Sequence, residues 1–137
     1  MQTDFLHACV DVLRLAGSAI DAVEAATRVV ELNTGGTSVG LGGIPDLLDV
    51  QEMDASLKCV KTLNAGAVGA IKGFVHRISA ARKLLEVAPH ILLVGDGAER
   101  FPRAMGCDAA DTSTELSSQV YLAFLNDAFA HNSIDEC

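Results

Sequence analysis

Residues 33–46 constrain this chain more than any other stretch. They read Asn-Thr-Gly-Gly-Thr-Ser-Val-Gly-Leu-Gly-Gly-Ile-Pro-Asp and hold five of the twelve glycines. Glycine loses more chain entropy on ordering than any other residue, and it admits positive φ and close backbone approach. So dense a run excludes regular structure and marks a loop between a helical region before it and a strand-bearing region after it. A phosphate cradle is one reading, but there is no Gly-x-x-x-x-Gly-Lys-Ser/Thr pattern and no strand-to-helix turn. The two other readings are a tight crossing between layers and a loop that lets backbone groups approach a ligand, with Ser38 as its hydroxyl.

Hydrophobic period places the remaining elements. Leu6, Cys9, Val10 and Leu13 recur at helical spacing, which predicts a helix over 4–16 with Gly17 as its stop. Ser18 and Asp21 form a capping box for a second helix, with Ile20, Val23, Thr27 and Val30 as its inner stripe and an end near Leu32. Residues 50–60 and 62–71 read as two strands joined by a short connection, hence an antiparallel pair. Their small residues call for another layer close by. A third helix over 78–88 turns Ile78, Ala81, Leu84, Leu85 and Ala88 inward and ends at Pro89. His90 to Val94 reads as a short buried strand and 95–97 as a turn. A short helix over 98–105 closes at Gly106, with Pro102 awkward inside it. Thr112 and Glu115 read as a capping box for a last helix with Leu116, Val120, Phe124 and Ala128 inside. The polar tail 130–137 is expected to be mobile.

Composition bounds the function. The chain has 137 residues, half of them apolar, and a formal net charge of −8. That supports one domain over 1–137 with a real core and excludes a disordered tail. No basic stripe suggests a nucleic-acid partner. The run Ile91 to Val94 is far shorter than the ~20 apolar residues of a membrane span. No signal-peptide pattern, glycosylation sequon or disulfide spacing is visible, which favours a cytoplasmic location. Cys9, Cys59, Cys107 and Cys137 show no metal spacing, and no metal or cofactor is expected. Asp111-Thr112-Ser113-Thr114 invites a nucleophile, but no base lies nearby, and helix capping accounts for Thr112 more simply. The four histidines form no cluster. Asp96 and Glu99 suit the positive end of a helix dipole better than a metal.

Four ordered stretches resemble the glycosylasparaginase and plant-type (isoaspartyl peptidase) asparaginase family of N-terminal-nucleophile hydrolases. Gly17 to Ala26 is similar to "GGxALDAVEAA", and Ser38 to Asp46 to "SVGxGGxPD". Glu52 to Ser56 with Ala65 to Val68 is similar to "xMDAS…AGAV". Ile78 to Arg82 with Pro89 to Phe101 is similar to "ISxAR…PHxLLVGxGAERF". The resemblance implies an α+β fold, half of an αββα sandwich of helices and antiparallel strands that a β-subunit completes. It implies hydrolysis of the side-chain amide of asparagine-type small molecules by a threonine at the head of that β-subunit, with its own α-amine as base, in an (αβ)2 assembly. No "HDT" or "GTVG" stretch occurs here, so no catalytic residue carries over. The residues that do carry over line the active-site loop: Ser38, Gly40, Gly42, Gly43 and Asp46, with Asp54 as the acid of the following strand. Two departures stand out: Lys58-Cys59-Val60 replaces "MDG", and no cysteine pair follows the second helix. The chain is thus expected to be inactive without its β-partner. The alternative is a truncated, inactive homologue that acts at most as a binding module.

Overall fold

The computed structural model describes residues 3–131. The elements are α1 (Asp4–Arg14), α2 (Ala19–Glu31), β1 (Met53–Lys58), β2 (Ala65–Ile71), α3 (Arg77–Val87), β3 (Leu92–Val94), α4 (Asp96–Ala104) and α5 (Glu115–His131). This is an α+β fold with one three-stranded sheet in the order β1-β2-β3. As the short connection predicts, β1 and β2 are antiparallel. The third strand departs from the expected antiparallel set: β3 runs parallel to β2, because α3 carries the chain back across the sheet between them.

Helix α3 covers one face of the sheet. It comes so close that a Cβ on Gly66 would lie 2.1 Å from the Ala81 carbonyl oxygen and 2.6 Å from the Leu85 nitrogen. The small strand residues are the condition for that approach. Leu57, Val68, Ile71, Phe74, Ile78, Ala80, Ala81 and Ala98 form the core on this side. Fully burying each larger one contributes about 1.5–3 kcal/mol. The inward row predicted for α3 holds at Ile78, Ala81 and Leu84.

The other sheet face is open. Asp54, Ser56 and Lys58 of β1 are exposed there. Register puts Leu92 beside Ala67 and Val94 beside Gly69, and these two side chains are 56% and 60% exposed. The strand expected to be buried is thus half bare, and of its residues only Leu93 packs against the core.

The helix ends show how local chemistry sets boundaries. Ser18 and Asp21 do form a capping box at α2. At the end of α1 the left-handed residue is Ala16 (φ 61), not Gly17. Ala16 N–H donates to the Leu13 carbonyl and Gly17 N–H to the Val12 carbonyl, the bond pair of a Schellman motif. Helix α4 starts earlier than predicted, because 95–97 is its first turn, and Pro102 sits in its interior with its ring fully buried. The α5 box lies two residues later than Thr112 and Glu115. Thr114 N–H donates to Ser117 Oγ, and Ser117 N–H donates to Thr114 Oγ1.

Two apolar stripes are only partly covered. In α2, Ile20 packs against the core and Thr27 is half-buried, but Val23 and Val30 are 50% and 37% exposed. Leu116 and Phe124 of α5 are also exposed. That helix stands off the sheet, tied down where Tyr121 Oη donates to the Leu47 carbonyl. Of the tail expected to be mobile from residue 130, residues 130 and 131 are the last two of α5. Its remainder, 132–137, lies outside the described residues, as does Cys137.

Candidate functional site

The glycine loop is anchored on α2. Gly40 has φ +72, and a Cβ there would lie 2.2 Å from the Glu31 carbonyl oxygen. The same carbonyl accepts Leu41 N–H at 2.8 Å, so the loop folds back directly on the last residue of the helix. Farther along, Gln51 Nε2 donates to the Gly43 carbonyl at 2.7 Å, and Gln51 Oε1 accepts from Arg77 Nη2 at 3.0 Å. Gly42 N–H points at the Thr112 carbonyl, which brings the stretch before α5 under the loop.

Glu31 is the hub of this arrangement, at 6% exposure. Its Oε1 accepts Ile78 N–H at 3.0 Å, so it caps the first turn of α3, where His76 supplies no side-chain cap. Its Oε2 lies 3.4 Å from His76 Nδ1. Burial pushes the Glu31 carboxyl up to about 7, against the pull of the Ile78 amide and of Arg77. Burial also pushes His76 down. Both shifts act against a charged pair between the two side chains.

The six site residues expected from the sequence do not converge on one point. Gly40 and Asp54 line a cavity of about 400 Å³ between α2, β1 and the loop, together with Val39, Glu31 and Arg77. Gly43 lines a second cleft of about 300 Å³, with Asp49, Lys72 and Asp111. Ser38 is exposed on the loop surface. Asp46 Oδ1 accepts Leu48 and Val50 N–H groups at 2.8 and 3.0 Å and closes the turn into β1. Asp54 accepts Ala70 N–H at 2.9 Å. The sheet register shifts there, and Ala70 takes φ 51, so Asp54 satisfies the amide that the bulge frees. Asp111 holds Ser113, which keeps its carboxyl below the usual range.

Glu31, Gln51 and Arg77 are the site residues that periodicity misses. Each is a polar side chain at a buried position, and the only signal for Glu31 is its place four residues after Thr27 on the inner row of α2. Among the described residues no group of three His, Cys, Asp or Glu is arranged to hold a metal ion. No helix among them is long and apolar enough to cross a membrane.

The loop, the strand after it and the helix beneath it fall within a stretch that matches a known family. A family profile described as "Asparaginase" matches residues 3–136. The chain belongs to the asparaginase family. Its similarity to a plant-type L-asparaginase of Pyrococcus furiosus is 46% identity over 99 residues, which is 72% of this chain and 32% of that protein. The N(4)-(beta-N-acetylglucosaminyl)-L-asparaginase of Rattus norvegicus is 38% identical over 110 residues, 80% of this chain and 32% of the relative. An isoaspartyl peptidase/L-asparaginase of Mus musculus is 41% identical over 95 residues, 69% and 29% of the two chains. This asparaginase-family chain therefore spans about a third of the length of the curated relatives it matches.

Proposed function

We propose that this chain is the α-portion of an asparaginase-like or glycosylasparaginase-like amidohydrolase. It hydrolyses the side-chain amide of asparagine-type substrates only when joined by a β-portion that bears the threonine nucleophile. The open sheet face carries this reading. Leu92 and Val94 stand exposed beside a strand of alanines and glycines, in a chain with a third of its relatives' length. A face built that way is one that a further layer covers. In this proposal the chain is a single domain, half of an αββα sandwich, and the complete enzyme is an (αβ)2 assembly. Ser38, Gly40, Gly42, Gly43 and Asp46 shape the wall of its substrate site, with Asp54 fixing the strand beneath. Gly40 sets where that wall begins, because its contact with Glu31 admits no side chain.

The test is reconstitution. The chain is mixed or co-expressed with the C-terminal two-thirds of an asparaginase relative, and release of ammonia and aspartate from asparagine is followed. No product from the chain alone and product from the pair is the expected result. Turnover by the pure chain would refute the proposal. Failure to bind any such partner would favour the inactive binding module, a reading that the Lys58-Cys59-Val60 departure supports.

A further inference from the structure

Arg77 opens α3 with its guanidinium inside the protein, at 1% exposure. Its Nη2 donates to Gln51, but Nε and Nη1 have no hydrogen-bond partner among the described residues. The acid whose field it feels is Glu31; its Oε1 accepts Ile78 N–H, and its Oε2, 3.4 Å from His76 Nδ1, is itself without a hydrogen-bond partner among the described residues. A buried charged donor left unmade is one of the more expensive features a fold can carry.

This guanidinium lines the 400 Å³ cavity beneath the glycine loop. The rest of the wall is largely apolar, with Val23, Val30, Val39, Met53 and Ile78. The geometry points to a binding site here for a small monocarboxylate with a branched apolar body, its carboxylate seated on Arg77 and its alkyl group against the valines of α2. The planar fork of a guanidinium matches a carboxylate in shape as well as charge. The volume suits a small ligand. Asp54 shares the lining, so a doubly charged phosphate would face a carboxylate with a single cation to offset it. The inference needs no amide hydrolysis and no β-portion, and it fails or stands separately from the proposal above.

The test uses the full 137-residue chain at about pH 6, where Glu31 keeps its proton. Isovalerate and its neutral isostere isovaleramide are titrated in parallel while backbone amide chemical shifts are followed. Saturable shifts at Gly40 and Ala55 with isovalerate are expected, with the amide at least about tenfold weaker. Arg77→Met should abolish the preference for the acid, and Arg77→Lys should restore part of it. If Arg77→Met fails to fold, the acid and amide pair on the unaltered chain decides alone. Equal affinities for the two compounds overturn the inference, as does the absence of saturable shifts with isovalerate on the folded chain.

Discussion

Glu31 shows how one buried acid links stability to pH. Its folded value is about 7 against an ordinary 4.5, so the native state holds the proton more tightly than the unfolded chain does. The resulting stabilisation is full below the unfolded value and is lost as pH rises through the folded one. Its ceiling is on the order of 3 kcal/mol. Stability to urea should therefore fall as pH is raised from about 5 to about 8, and Glu31→Gln should flatten that slope. An unchanged slope in the variant would assign the effect elsewhere. His76 acts in the opposite sense, because its lowered value removes stability as pH falls below the ordinary histidine range. Gly40→Ala meets both a positive φ and the Glu31 backbone. A loss of about 3 kcal/mol or more is expected in denaturant melts.

Among the elements, the end of α1 is strained at an identifiable place. Ala16 occupies the left-handed position of a Schellman motif whose two hydrogen bonds are already formed. Ala16→Gly should stabilise the chain by about 1 kcal/mol, read as a rise in melting temperature. Thr114→Ala should cost about 1 kcal/mol, whereas Thr112→Ser should leave α5 intact, since the reciprocal cap runs between Thr114 and Ser117. Helices, the first strand pair and the glycine loop were all legible in the sequence, because period, caps and glycine density are local signals. What was not legible depends on distant contacts. The direction of β3 follows from where α3 lands. The stripes of α2 and α5 follow the apolar period faithfully, yet nothing in the period says whether a partner covers them. The candidate site was half legible: motifs located the loop, but the polar cluster of Glu31, Gln51 and Arg77 forms only when three separate segments meet.

For the molecule as a whole, the sheet decides behaviour in solution. One face is sealed by α3, and the other presents Leu92, Val94 and a row of small residues. Beside it, the outer edge of β1 has no strand paired to it among the described residues. Such edges and faces promote association between chains. Sedimentation of the purified chain should show self-association that weakens in a Leu92→Lys, Val94→Lys double variant. A monodisperse monomer before substitution would contradict this.

The parallel pairing of β3 with β2 also sets an order in time. The β1–β2 hairpin closes over the six residues 59–64 and can form as soon as it leaves the ribosome. Its third strand must wait until α3 has been synthesised, folded and laid across Gly66, since no shorter route joins parallel neighbours. In that interval the hairpin lacks α3 over one face and β3 along the edge of β2. Chain concentration during synthesis or refolding, more than the stability finally reached, then governs how much native protein is recovered.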